Sequence, residues 1–146
     1  MSPWPKPPLF YVLAVGTRAD PPRNPHDPHE TPMDLLTLFL TMCMNTELPC
    51  DDIRTEFAET PFGIMGAADL YNSGRMAIRI SPDIQHIHWK VIETLLHEIA
   101  HLMVYTQNLE TGTRINSGHN HKFITACKKV SMAYGRSPNH CSRGEH

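Results

Sequence analysis

The chain has 146 residues and a mass of 16.6 kDa, the size of one ordinary domain. Apolar residues make up 40% of it and charged residues 19%, so it can bury a core and is not expected to be disordered throughout. No apolar run approaches the roughly 20 residues that a membrane-spanning helix needs, so we do not expect an integral membrane protein.

Charge is distributed unevenly, although the formal net charge is only −2. Residues 1–110 hold seven basic and fourteen acidic side chains, whereas residues 111–146 hold six basic side chains and one acidic. A basic C-terminal region can attract an anionic partner, of which nucleic acid is the commonest. The alternative is a solvated surface that balances the acidic remainder.

Residues 1–30 are predicted to form a proline-rich arm, and residues 31–146 to form the folded domain. Proline breaks regular structure, and nine of the 13 prolines lie within the first 32 residues. Inside the arm, the apolar stretch Leu9–Val15 either adds an edge strand to the domain or stays mobile.

The four cysteines form no C-x-x-C pair, and a domain of this size does not need disulfides. We therefore expect reduced thiols in a cytoplasmic protein, or a nuclear one in a eukaryote. The stretch Leu9–Val15 imitates a secretory signal, but the four prolines among the first eight residues argue against it. Export is the minor alternative.

Several elements are predicted after the arm. Apolar residues predict a buried helix over residues 31–48, and the polar segment 51–59 is predicted as a short helix or turn. The segments 62–71 and 75–80 flank an Asn-Ser-Gly turn signal and are predicted to pair as a β-hairpin.

Ser81-Pro82-Asp83 has the composition of a helix start, and a long helix is predicted most strongly from Trp89 to Gln107. A loop follows over residues 111–118, and a final helix from Lys122 to Tyr134. These elements predict an α+β fold in which a small antiparallel sheet packs on the long helix, flanked by the other two helices. We expect the active-site cleft to lie between that helix and an edge strand of the sheet, where an extended peptide could add as a further strand.

The long helix contains an H-E-x-x-H motif over residues 97–101. Residues four apart lie about 40° apart around a helix, so His97 and His101 point to one side and can bind one zinc ion, with Glu98 beside them as a base. In a chain of this composition and length, the H-E-x-x-H pattern would be expected by chance only about 0.04 times. Apolar residues cover most of the remaining surface of the helix, which favours a cleft-lining metal helix over exposed surface histidines.

A catalytic zinc needs three protein ligands and an open position. The metzincin continuation requires glycine at Val104 and histidine at Gln107, so that class is excluded. A glutamate as third ligand would have to be Glu110, which comes too soon after the motif helix for the chain to turn back to the metal. His119 and His121 remain, and in a helical segment only one of them could face the metal.

Residues 76–126 resemble the SprT-like zinc metallopeptidases, whose eukaryotic members include the Spartan and Wss-type proteases that digest proteins crosslinked to DNA. The matching parts are Met76–Ser81, Leu95–His101 and Gly118–Phe123, the last of which looks like the family's G-H-G-x-x-F segment. The resemblance implies that residues 31–146 form a SprT-like metallopeptidase domain with a zincin-like core. It also implies that His119 is the third ligand and that Phe123 anchors the last helix in the core.

The chain departs from the family pattern in three ways. Asn120 stands where glycine is usual, His121 adds a competing imidazole, and the zinc ribbon of many members is missing. His140, Cys141 and His146 do not replace the ribbon, so one zinc ion is expected.

The motif and the resemblance predict a zinc-dependent endopeptidase that acts on protein or peptide substrates, among them DNA-associated proteins. Glu98 would assist the attack of zinc-bound water on the peptide bond. Three neutral imidazoles would bind the ion: His97, His101 and His119. Three side chains are candidates for stabilising the transition state or for replacing a ligand: Tyr105, Arg114 and His121.

The alternative is a zinc-stabilised nucleic-acid-binding module without protease activity. Four basic residues of the C-terminal region are its candidate contacts: Lys122, Lys128, Lys129 and Arg136. This alternative predicts salt-dependent binding that Glu98→Gln leaves unchanged. A zinc hydrolase acting on RNA is disfavoured, because endoribonucleases with a paired-histidine helix lack glutamate at the Glu98 position.

Overall fold

A computed structural model describes residues 12–13, 34–115 and 118–142 of the chain. The described part contains four strands: β1 (Val12–Leu13), β2 (Arg54–Phe57), β3 (Gly66–Leu70) and β4 (Met76–Ile80). It also contains three α-helices: α1 (Leu35–Cys43), α2 (His88–Thr111) and α3 (His121–Ala133). Short 3₁₀ turns lie at Cys50–Asp52, Pro61–Gly63, Pro82–Ile84 and Pro138–Ser142. None of these helices is both long enough and apolar enough to cross a membrane.

The strands form one sheet in the order β1-β3-β4-β2. β3 and β4 are the predicted hairpin, with Gly66 opposite Ile80 and Leu70 opposite Met76. β1 lies within the predicted arm and pairs antiparallel with β3, so this part of the arm contributes a strand to the sheet. The α+β class is confirmed, but the prediction of an antiparallel sheet is wrong, because β2 runs parallel to β4.

β2 is the strand that the sequence analysis missed, since residues 51–59 were expected to form a helix or turn. It pairs with β4 from Arg54 opposite Ala77 to Phe57 opposite Ile80. Its residues are exposed or half-buried because it lies at the edge of the sheet. A short edge strand with three polar residues of four lacks the apolar alternation that identifies a half-buried strand.

Asp69 of β3 and Arg79 of β4 lie on the same face of the hairpin and form an ion pair across the two strands. Arg79 donates from Nε and Nη2 to the two carboxylate oxygens of Asp69, at 2.8 and 2.9 Å. Asp69 is only 1% exposed, and bidentate charged hydrogen bonds of this kind are the strong ones. The guanidinium also donates to the carbonyl of Glu59 at 3.1 Å, which ties the loop after β2 to β4.

α2 forms the centre of the core, because it contacts β3 and β4 as well as α3. The largest fully buried side chains include Phe39, Ile78, Ile80, Leu95, Leu96, Ile99, Leu102 and Phe123. The helix is longer than predicted. It begins at His88 and ends at Thr111, after which Gly112 takes the left-handed φ of 69° that glycine adopts most readily.

α1 is shorter than the predicted 31–48. Its cap is Asp34, whose carboxylate accepts hydrogen bonds from the backbone N–H and the hydroxyl of Thr37, at 3.3 and 2.9 Å. The helix ends at Cys43, whose carbonyl accepts a hydrogen bond from the hydroxyl of Thr46. Polar side chains that satisfy the terminal backbone groups therefore set both ends.

All four cysteines are paired, which corrects the expectation of reduced thiols. Cys43 pairs with Cys50 and Cys127 with Cys141, with Cα–Cα distances of 5.9 and 5.8 Å. The first pair links α1 to the turn before β2, and the second links α3 to the last 3₁₀ turn. Separations of 7 and 14 residues carry no pairing signal in the sequence, because pairing depends on how the elements pack.

Asn120 begins α3. Its side chain accepts a hydrogen bond from the backbone N–H of Phe123 at 3.1 Å, so the departure from the family's glycine provides a helix cap. The helix consequently begins at His121, one residue before the predicted start.

Replacing the cap should destabilise the protein modestly. Asn120→Ala should lower the free energy of unfolding by about 1 kcal/mol, because one N–H at the helix start loses its acceptor. Asn120→Asp keeps a side-chain oxygen in place and should cost much less. Urea denaturation followed by circular dichroism measures both values, and equal losses for the two variants would contradict the capping role.

Candidate metal site

His97 and His101 lie one turn apart on α2 and point to the same side of the helix. Their Nε2 atoms are 3.2 Å apart and their ring centroids 4.9 Å apart. His101 is fully buried and His97 is half-buried, in agreement with the apolar surroundings predicted for this helix. The motif therefore presents two imidazole nitrogens to one point in the protein interior.

His119 reaches the same point from the segment that joins α2 to α3. Its ring centroid is 4.7 Å from that of His97 and 5.1 Å from that of His101. Each of the three histidines offers a ring nitrogen, and these three atoms all lie within 4.8 Å of one another. The structure thus brings together the three residues predicted as ligands.

Phe123 holds the three rings in place from the first turn of α3. Its ring centroid is 4.8 Å from that of His97, 4.3 Å from that of His101 and 4.5 Å from that of His119. The side chain is 2% exposed, so it also belongs to the core. Because α3 packs on α2 through this residue, the contact that stabilises the fold also positions the histidines.

Asn108 ties the end of α2 to the segment that carries His119. The side chain is buried, and its Nδ2 donates to the carbonyl of Arg114 at 3.3 Å. Its Oδ1 accepts from Nζ of Lys122 at 3.2 Å, and its backbone carbonyl accepts from the N–H of Thr113 at 2.9 Å. One residue therefore fixes the chain both before and after His119.

Glu98 follows His97 on α2 and is fully buried. Neither carboxylate oxygen has a hydrogen-bond partner among the described residues. Burial, and secondarily the charge of Asp69, raise the pKa of this carboxyl well above its ordinary value. A buried carboxyl without partners is costly, so its presence points to a group that the polypeptide itself does not supply.

Gly66 makes room for that carboxyl at the start of β3. A Cβ at this position would lie 2.6 Å from Cγ2 of Thr94 and 3.0 Å from Oε2 of Glu98. The strand that adjoins the site is therefore β3. We expected an edge strand, but β3 is an interior strand, because β1 pairs along part of its outer side.

The three histidines fit a zinc ion. Burial is the main cause that lowers the pKa of His97 to about 3 and the pKa of His101 well below its ordinary value, so both rings are neutral and offer lone pairs. Tetrahedral zinc with bonds of about 2.0 Å holds two nitrogens roughly 3.3 Å apart, close to the 3.2 Å observed.

The other three predicted site residues lie in different surroundings. Tyr105 is fully buried, with its ring centroid 6.1 Å from that of His101. His121 is exposed at the start of α3 and is not part of the three-histidine group, so it does not replace His119 as a ligand. The Asn120 cap explains the difference, because the chain enters the helix between the two residues. Arg114 is exposed and contributes its carbonyl to Asn108.

Two of the four predicted nucleic-acid contacts have partners within the protein. Lys122 donates to Asn108, and Arg136 forms an ion pair with Glu93 at 3.6 Å. Lys128 and Lys129 are exposed on α3. The charge of Arg136 is thus offset by that of Glu93, whereas Lys122 remains exposed despite its hydrogen bond.

Sequence reasoning missed three residues of the site: Gly66, Thr94 and Asn108. The sequence showed Gly66 only as part of a small apolar segment, and nothing marked its proximity to Glu98. Asn108 lies in a helix, where asparagine is unfavourable, and this is the one signal that could have drawn attention to it.

The comparisons agree with this arrangement. The model of the SprT-like family matches residues 41–143, more than half of the chain, and the match contains both the H-E-x-x-H helix and His119. The chain belongs to the SprT-like family, as the sequence resemblance indicated. This is in general a family of metallopeptidase type that is associated with zinc. No curated protein matches the chain.

The two neighbouring histidines provide a matched test of the ligand set. His119→Ala should remove zinc from the purified protein, because only two of the three nitrogens remain. His121→Ala should keep the metal, because this residue is exposed outside the group. Elemental analysis after dialysis gives the zinc content, and loss of zinc in the His121 variant alone would contradict the assignment.

The close approach at Gly66 can be tested by stability. Gly66→Ala should cost about 1–3 kcal/mol of unfolding free energy, because the added methyl group overlaps Cγ2 of Thr94. Adding Thr94→Ala should restore part of that loss, with Thr94→Ala alone as the control. Urea unfolding of the wild type, both single variants and the double variant measures the coupling between the two positions. Strictly additive losses of unfolding free energy would contradict the close contact.

Proposed function

We propose that the protein is a zinc-dependent endopeptidase. The observation that carries the proposal is the convergence of three imidazoles, together with Glu98, which follows His97 in the chain and is a buried carboxyl without a hydrogen-bond partner among the described residues. Membership of the SprT-like family supports the same reaction class.

Each of these residues has a defined role in the proposed reaction. His97, His101 and His119 would hold the ion through neutral ring nitrogens. Zinc, when bound, supplies a Lewis acid that polarises a carbonyl and makes water more acidic. Glu98 takes a proton from the attacking water at a carboxylate oxygen and delivers it to the nitrogen of the leaving amine.

The surroundings of Glu98 suit this role. Because Gly66 has no side chain, the backbone of β3 approaches the carboxyl closely, and a Cβ there would lie 3.0 Å from Oε2 of Glu98. A base held this way is positioned before substrate binds, which lowers the entropic cost of the reaction.

The substrates proposed are proteins or peptides, among them proteins associated with DNA. The family resemblance suggests this class, and the exposed Lys128 and Lys129 give a small basic surface on α3. Nucleic acid would then recruit substrates to the enzyme by charge, with binding that weakens as salt concentration rises.

Substitution of Glu98 tests the proposed reaction. Glu98→Gln keeps the size of the side chain but removes the base, so hydrolysis of casein should fall at least about a hundredfold. The zinc content should stay that of the wild type, because glutamine at this position does not replace a ligand. Digestion should be measured with and without single-stranded DNA.

The outcomes separate the two proposed functions. Unchanged hydrolysis by the Glu98→Gln protein would refute the proposed reaction. A wild-type protein that holds zinc and binds single-stranded DNA in a salt-dependent way, yet cleaves no peptide, would instead support the nucleic-acid-binding module.

A further inference from the structure

A second group of metal-binding side chains lies where α3 meets the last 3₁₀ turn. Cys127, on α3, faces His140 and Cys141 of that turn, and one donor atom from each lies within 4.8 Å of the others. Both sulfur atoms belong to buried residues, and the histidine is half-buried. Of the three residues considered earlier as a substitute for the zinc ribbon, two lie here, and the structure adds Cys127 to them.

The ring of His140 is oriented for a metal. Its Nδ1 lies 3.0 Å from the carbonyl oxygen of Ser137, and because a carbonyl can only accept, Nδ1 carries the proton. In the neutral ring the lone pair is therefore on Nε2, which faces the cysteines. A hydrogen bond from Nδ1 to a backbone carbonyl is the usual support of a histidine that binds metal through Nε2.

The distances around Nε2 are close to those of a zinc site. Nε2 lies 3.6 Å from Sγ of Cys141 and 4.0 Å from Sγ of Cys127. Tetrahedral zinc with bonds of about 2.3 Å to sulfur and 2.0 Å to nitrogen places these atoms roughly 3.5 Å apart. The two sulfur atoms, which are bonded to each other here, would have to separate to roughly 3.8 Å, and Sγ of Cys127 would have to move closer to Nε2 by about 0.5 Å.

Ser131 completes the polar surroundings of this group. Its hydroxyl is fully buried, 3.3 Å from Nε2 of His140 and 3.6 Å from Sγ of Cys141. A fourth ligand position is therefore available to this hydroxyl or to a water molecule that it binds. By contrast, the pair Cys43 and Cys50 belongs to no such group among the described residues.

We propose that Cys127, His140 and Cys141 bind a second zinc ion when their disulfide is reduced. A dithiol supplies the two electrons and two protons that convert the S–S bond into two thiols, and is itself oxidised to a disulfide. Zinc then replaces the two thiol protons, which pass to solvent, and is bound by two thiolates and Nε2 of His140.

Either state of this group fastens the last 3₁₀ turn to α3. The disulfide does so in an oxidising compartment, and zinc does so where thiols stay reduced. The last 3₁₀ turn would therefore keep its packing against α3 in both environments.

Zinc content and cobalt spectra of the full chain test the proposal. With a dithiol present, the wild type should hold about two zinc ions per chain, and the oxidised protein about one fewer. Cobalt in place of zinc should give thiolate-to-metal charge-transfer absorption in the near ultraviolet. The three-histidine site cannot produce this signal, so the test does not depend on the proposed peptidase activity.

Matched cysteine pairs provide the controls. Cys127→Ser with Cys141→Ser should abolish the thiolate absorption and one zinc ion, whereas Cys43→Ser with Cys50→Ser should keep both. His140→Gln should weaken zinc binding at this group at least about tenfold, because one ligand is lost. Circular dichroism checks folding. A reduced wild type without thiolate–cobalt absorption would overturn the proposal, whatever the variants do.

Discussion

The contact between α2 and α3 is the constraint on which the rest of the structure depends. Three imidazoles must converge inside a core that is otherwise apolar, and Phe123 touches all three rings. The residue is at once the hydrophobic anchor of α3 and one wall of the site. A shift of one helix along the other would therefore expose apolar surface and separate His119 from the motif, so packing free energy keeps the site assembled.

Much of this arrangement could be predicted from local sequence. The H-E-x-x-H spacing determines the relation of His97 to His101 because both residues belong to one helix, and the β3–β4 hairpin follows from alternation around a turn. The space at Gly66 and the pairing of the cysteines depend instead on contacts between distant elements. The polar edge strand β2 gave no periodic signal, since its hydrogen bonds come from the partner strand.

The departures from the family pattern have separate physical meanings. Asn120 stands where the resemblance leads us to expect glycine, and its side chain caps α3 directly after His119. The extra imidazole of His121 is directed out of the site by the same cap, because the helix begins at that residue. Both changes alter the entrance to the helix and leave the three-histidine group intact.

Asn108 has a consequence for how this region can vary. Because it binds the chain at Arg114 and again at Lys122, the intervening residues span two fixed points. The entropy of closing such a span grows only with the logarithm of its length. A change in the length of the chain between these two anchors would thus add little closure entropy, while the hydrogen bonds of Asn108 keep both ends in place.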